Sequence, residues 1–199
     1  VGLYGPKYAL LRAEFQTAAG RRTAKPVKEI LICFGGSDPE NATMWTLQSL
    51  EQANLTALKF KVVVGAANPH LAEIQNFCQQ HEAFKCYASV DDIAHMMKAA
   101  QLAIGASGTM NWERCSMGLP ALIFSLAENQ DASAQALHEA GISCFLGRFG
   151  AVSSIDFQHQ VWSLINDTEK LFEMSARASA LVDGNGAHRV ASVMLEMQR

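Results

Sequence analysis

Short apolar runs alternate along this chain with longer segments whose apolar positions recur at helical spacing. The runs Lys28–Phe34, Phe60–Gly65, Lys85–Ser89, Leu102–Ala106, Pro120–Leu126 and Ile142–Leu146 read as β-strands, because each is brief, mostly apolar and bounded by turn formers. Asn41–Ala53, Pro69–His81, Asp91–Ala100, Thr109–Gly118 and Asn129–Ala140 lie between them and read as helices. Ser154–Asn166, Glu169–Val182 and Ala187–Met197 follow as three more. The end signals agree. Pro69 suits a first helical position, Asp91 and Asp92 suit a first turn, and Gly118 and Gly141 suit the left-handed residue that closes a helix.

Strands that are apolar throughout bury both faces, which fits a parallel sheet with helices above and below. The pattern therefore predicts an α/β fold: a doubly wound, Rossmann-like parallel sheet of about six strands. Ligands of such folds bind beyond the carboxyl ends of the strands. Function is then sought in the loops 35–41, 66–68, 89–91, 105–109, 127–130 and 147–153.

Composition narrows the picture. The 199 residues fit one domain with an appendage, and 49% apolar against 18% charged residues supports a continuous core. Lys and Arg total 16 against 19 Asp and Glu, a net charge of −3, which disfavours a broad basic face for nucleic acid. No apolar run approaches the ~20 residues of a membrane span, and no signal peptide is visible. Cys33, Cys78, Cys86, Cys115 and Cys144 form no C-x-x-C pair; they are expected to be reduced, mostly buried thiols of a cytoplasmic protein. Residues 1–27 are basic, with Lys7, Arg12, Arg21, Arg22 and Lys25. They are expected to be a linker and helix entering from a preceding domain, with 28–199 as the domain proper.

Several loops carry chemistry. Gly35-Gly36-Ser37-Asp38 leaves the first strand. Its glycines allow close backbone approach to an anion, or simply a tight turn. It is neither a Walker loop nor the dinucleotide fingerprint. Gly105-Ala106-Ser107-Gly108-Thr109 leaves the fourth strand and opens a helix, a setting that suits a phosphate. Ser107 or Thr109 can donate to a ligand or cap that helix. Glu113 shares a helix face with Thr109 by i,i+4 spacing. It can accept hydrogen bonds from ribose hydroxyls or pair with a neighbouring cation. Glu128-Asn129-Gln130 follows the fifth strand and can bind sugar hydroxyls or start a helix. Asp183-Gly184-Asn185-Gly186 reads as a turn, with His188 and Arg189 beyond it. The six histidines stand in no metal or nucleophile motif, and no nucleophile elbow occurs. The chain offers phosphate and sugar chemistry without a general base.

Taken in order, G-G-S-D, G-A-S-G-T-M-N-W-E-R-C, G-L-P-A-L and A-E-N-Q resemble the carboxyl-terminal domain of the UDP-sugar hydrolases of the pseudaminic acid pathway. These enzymes remove UDP from UDP-2,4-diacetamido-2,4,6-trideoxy-β-L-altropyranose. Gly5–Arg12 and Asp183–Ala187 also match, so the resemblance runs almost end to end. The family sits in the glycosyltransferase-B superfamily, beside the UDP-N-acetylglucosamine transferase of peptidoglycan synthesis. Its members have two Rossmann-like domains facing across a cleft; the second holds the nucleotide and the first supplies the base.

The resemblance implies roles residue by residue. Gly35, Gly36 and Ser37 form the glycine turn near sugar and diphosphate. Ser107, Gly108 and Thr109 form the diphosphate-binding helix start, although the family more often shows G-x-G-G-S/T-T there. Glu113 is the ribose acceptor, and Val90 the position whose backbone reads the uracil edge. Glu128, Asn129 and Gln130 face the sugar or diphosphate, and Tyr8 and Arg12 line the cleft. No catalytic residue falls in this chain, and no metal or cofactor is implied. The expected partners are a UDP-sugar and a first domain across the cleft, with no nucleic acid and no membrane span. A glycosyltransferase and a non-catalytic sugar-nucleotide-binding module remain as alternatives. A response-regulator-like domain lacks its paired acidic cluster.

Overall fold

The structure is a computed structural model that describes residues 2–18, 25–55 and 57–197. Strands β1 Glu29–Cys33, β2 Lys59–Val64, β3 Phe84–Ala88, β4 Leu102–Ala106, β5 Ala121–Ser125 and β6 Ser143–Arg148 form one sheet. Their order is β3-β2-β1-β4-β5-β6 and every pairing is parallel. Helices α1 Ala13–Ala18, α2 Ala42–Gln52, α3 Leu71–Gln80, α4 Ile93–Ala99, α5 Met110–Ser116, α6 Glu128–Glu139, α7 Ser154–Ile165, α8 Thr168–Leu181 and α9 Gly186–Glu196 complete it. This is the doubly wound α/β fold that the alternation of apolar runs predicts.

Side-chain alternation splits the interior into two cores. Ile30, Ile32, Phe60, Val62, Val64, Leu102, Ile104, Leu122 and Phe124 face one side, with residues of α2, α3 and α7. Leu31, Cys33, Val63, Ala103, Ala121 and Ile123 face the other, with residues of α1, α4, α5 and α6. The central strands β1, β4 and β5 are apolar over nearly their whole length because both faces are covered, while β2 and β3 carry Lys59, Lys61 and Lys85 toward the sheet's edge. On the first side, Trp45 of α2 stands edge-on to Phe124 and to Phe149, with ring centroids 5.8 and 5.5 Å apart. Phe157 of α7 joins them at 5.2 Å from Trp45. This cluster ties β5 to two helices.

Most element ends shift by a residue or so from the sequence reading, and three of the shifts have a clear local cause. Helix α3 begins at Leu71, so Pro69 lies outside it. The Asn68 side chain accepts the His70 N–H at 2.7 Å, which uses Pro69 in a turn instead. Helix α4 begins at Ile93, and Asp92 is its cap, accepting the His95 N–H at 2.9 Å. Strand β6 continues to Arg148 through a register shift opposite Ile123 and Ser125.

The amino-terminal residues pack on the domain. Phe15 of α1 is fully buried in the second core. The short 3-10 turn Pro6–Tyr8 lies against α9. Gly186 makes this possible, since a Cβ there would come 2.2 Å from the Ala9 carbonyl oxygen. Arg189 donates to the Lys7 carbonyl at 2.9 Å and forks onto the Asp183 carboxylate. The turn at 183–186 is therefore a seat for the chain's first residues, and Arg189 is engaged there. Lys25 is exposed, while Arg21 and Arg22 lie outside the described residues.

Candidate functional site

Strand order reverses between β1 and β4, the switch point at whose carboxyl edge folds of this class bind their ligands. Cys33 pairs with Gly105 there. The two strands and Arg114 approach closely because residue 105 is glycine. A Cβ at that position would lie 2.0 Å from the Cys33 carbonyl oxygen and 3.2 Å from Arg114 Nη1.

The loop after β1 presents Gly35, Gly36 and Ser37 outward. Gly35 has φ +100°, and nothing lies within 4 Å of a Cβ built on Gly35 or Gly36. Asp38 turns inward instead. It is 2% exposed and accepts the N–H groups of Ala42 and Thr43, both at 2.9 Å. Asp38 thus holds the first turn of α2, a role the sequence reading missed. Its signal was faint, since it lies four residues before the helix rather than next to it.

The loop after β4 holds Ser107, Gly108 and Thr109. Ser107 is fully buried, and its hydroxyl accepts from Asn111 Nδ2 at 2.9 Å. Thr109 is exposed, takes the N-cap position in helical conformation and makes no side-chain cap bond. Neither residue caps α5 by its side chain. Beneath them Arg114 is 3% exposed and donates to the Ala106 carbonyl at 2.7 Å and to Asn111 Oδ1. Sequence reasoning missed this network. An Asn and an Arg at i,i+3 ordinarily share a solvated helix face, and nothing in the string marks this face as buried.

Glu113 projects from α5 with its side chain 20% exposed. Burial raises its carboxyl above the ordinary carboxylate range, while Arg12 and Arg114 pull it down and Glu14 adds to the rise. Arg12 Nη2 stands 3.8 Å from Glu113 and 3.0 Å from Glu14, with its guanidinium 5.4 Å over the Phe15 ring. The ribose acceptor and the cleft arginine expected from sequence are thus neighbours. Tyr8 is half-buried in the turn before them.

After β5, α6 begins at Glu128 rather than Asn129. Glu128 and Asn129 are exposed. Gln130 turns back, and its Oε1 accepts the Leu126 N–H at 2.9 Å. Gln130 Nε2 lies 4.0 Å from a Cβ built on Gly108, so the loops after β4 and β5 are adjacent. Val90 follows β3, half-buried against the second core. The fold therefore brings Gly35–Ser37, Val90, Ser107–Thr109 and Glu128–Gln130 to one sheet edge. From β3 to β5 that edge spans four inter-strand steps, or roughly 19 Å.

The two thiols nearest this edge, Cys33 and Cys115, are buried and poorly suited to nucleophilic work. Burial pushes Cys115 up to about 12 and raises Cys33. Cavities of about 440 and 190 Å³ lie at the opposite, amino edge of the sheet. They are lined by residues such as Val27, Leu58 and Trp162 and by Phe60 and Phe84. They share no residue with the carboxyl-edge set.

The chain is 28% identical over 195 residues to the spore coat polysaccharide biosynthesis protein SpsG of Bacillus subtilis, covering 97% of this chain and 58% of that protein. It is 28% identical to the UDP-N-acetylglucosamine–N-acetylmuramyl-(pentapeptide) pyrophosphoryl-undecaprenol N-acetylglucosamine transferase of Haemophilus ducreyi, covering 92% of this chain and 52% of that enzyme. The UDP-2,4-diacetamido-2,4,6-trideoxy-β-L-altropyranose hydrolase of Campylobacter jejuni matches at 28%, but over 54% of this chain and 38% of the hydrolase. The chain thus spans about half the length of these relatives. The crystal structure of Acinetobacter baumannii MurG superposes with a TM-score of 0.70 at 17% identity, covering 96% of this chain and 55% of that one, a likeness of fold. The hydrolase resemblance expected from sequence is therefore partial, and matches to other proteins cover more of the chain. Residues 30–191 match the glycosyltransferase family 28 C-terminal domain, and the chain belongs to that family.

Proposed function

We propose that this chain is the nucleotide-sugar-binding half of a glycosyltransferase of the two-domain B type, with UDP as the nucleotide. The match of residues 30–191 to the family 28 C-terminal domain carries the reading. The linear order of the edge supports it. Val90 stands beyond β3, the glycine turn beyond β1, Ser107–Thr109 beyond β4 and Glu128–Gln130 beyond β5. A nucleotide sugar is itself extended, and this reading lays its base end toward β3 and its sugar end toward β5.

In this reading the backbone at Val90 meets the uracil edge, and Glu113 accepts the ribose hydroxyls. Gly35–Ser37 and Ser107–Thr109 surround the diphosphate. Glu128, Asn129 and Gln130 face the diphosphate or sugar, and Tyr8 and Arg12 border the cleft. Donors fixed around the diphosphate stabilise the charge that gathers on UDP as the anomeric bond breaks. A preceding domain, with its own half of the cleft, supplies the sugar contacts and the base.

A second reading keeps the same site but makes water the acceptor. The Campylobacter hydrolase match favours it, together with the tracts Gly5–Arg12 and Ala127–Gln130. The protein carrying both domains decides between them when incubated with UDP-N-acetyl sugars. UDP release that depends on an added glycosyl acceptor is expected. Release of UDP and free sugar without acceptor would overturn transfer in favour of hydrolysis.

A further inference from the structure

Arg114 is a buried cation that no carboxylate among the described residues approaches closely enough to pair with. It is 3% exposed. Its two hydrogen bonds from Nη2 go to neutral acceptors, the Ala106 carbonyl and Asn111 Oδ1. Burying a guanidinium this way is costly, and the group does not escape by losing its proton. Burial indeed draws Arg114 below its ordinary value.

The hydrogen bonds run in one direction. Because Asn111 Oδ1 accepts from Arg114, its Nδ2 is turned toward Ser107 and donates to Oγ at 2.9 Å. The Ser107 oxygen is then an acceptor from Asn111, and its own proton is left to point elsewhere. Each link carries positive character from the guanidinium toward the loop 107–109. A purely structural anchor for that loop needs the Ala106 contact but neither the charge nor this polarity.

We propose that Arg114 is a positioning residue that makes this edge selective for the anionic part of its ligand. Its charge meets the attraction of Glu113 but no ion pair among the described residues; it is answered by the ligand's diphosphate, and Asn111 relays its orientation to the Ser107 hydroxyl. The proposal rests on the nucleotide-sugar reading above and adds to it the source of the preference for phosphate.

Asn111→Asp tests it with almost no change of size. The new carboxylate neutralises Arg114 and accepts the Ser107 proton, reversing the relay. Dissociation constants for UDP and for uridine are measured by ligand-detected NMR on wild type, Asn111→Asp and Ser107→Ala, with urea unfolding confirming that each is folded. Asn111→Asp is expected to weaken UDP by about tenfold or more and leave uridine unchanged. Ser107→Ala is expected to weaken UDP selectively as well, and Arg114→Gln, measured in the same way and expected to weaken UDP but not uridine, decides the matter if Asn111→Asp does not fold. UDP affinity retained in a folded variant, or UDP and uridine weakened equally, overturns the relay alone. Wild type that binds neither ligand overturns the nucleotide reading itself.

Discussion

Glu113 shows how one residue serves two opposed demands. Its carboxylate stands beside Arg12 but is only 20% exposed, and loss of hydration outweighs the attraction of the two arginines. If it holds ribose hydroxyls, Glu113→Ala weakens UDP by about 1–3 kcal/mol, read by calorimetry. Unchanged affinity in a folded variant removes Glu113 from the site. Stability is expected to move the other way. Because the native carboxyl sits above its ordinary value, the folded state holds the proton more tightly than the unfolded chain. Ionisation therefore costs stability as pH rises from the ordinary carboxyl value through the raised one. Glu113→Gln, which never ionises, is expected to unfold at higher urea than wild type at pH 7. The gap should close as pH falls below the ordinary carboxyl range. A variant less stable at pH 7 would show that the Arg12 and Arg114 attractions dominate. Wild-type UDP affinity is expected to fall as acid titrates the same group.

At the scale of elements, the strands were legible because a parallel strand covered on both faces must be apolar along its whole length. Ile30 to Cys33 could hardly be anything else. Helix starts were less legible because short polar side chains compete for the same N–H groups. Asn68 captures His70 and delays α3 past Pro69. Asp38 reaches forward to Ala42 and Thr43 from the glycine turn. Gly105 looked like part of a phosphate loop, yet it sits in β4 where it lets β1 approach. Gly105→Ala drives a methyl group against the Cys33 carbonyl and toward Arg114. Overpacking of this kind costs about 1–3 kcal/mol, and urea denaturation should show it. An unshifted midpoint would mean that β1 and β4 can separate without penalty.

Over the whole molecule, the first residues and the last helix hold each other. Arg189 joins Lys7 to Asp183, and Arg189 with the Asn185 N–H holds the Asp183 carboxyl well below its ordinary range. Removing that clasp should open the amino-terminal segment locally without unfolding the domain. Arg189→Ala is expected to speed tryptic cleavage after Lys7 or Arg12 while the bulk of the domain stays resistant. An unchanged cleavage rate would show that the packing of Gly186 on Ala9 suffices.

The placement of the candidate loops was legible to a matching degree. Its loops were found because they follow strands, and topology then brings them to one edge. Ser107, Asn111 and Arg114 were not read as a network, because burial of a charged side chain on a short helix leaves no periodic trace. The choice between transferring a sugar to water or to another acceptor was not legible either. The residues quoted for the hydrolases lie within a domain that matches a glycosyltransferase family, so nothing in the string separates the two acceptors.

Nucleotide recognition by the carboxyl edge is the central claim, and titration of this chain with UDP, with ADP and GDP as controls, tests it most directly. Binding of UDP in the micromolar to millimolar range, clearly tighter than either purine nucleotide, is the expected result. Equal affinity for all three nucleotides, or heat from none of them, would contradict it.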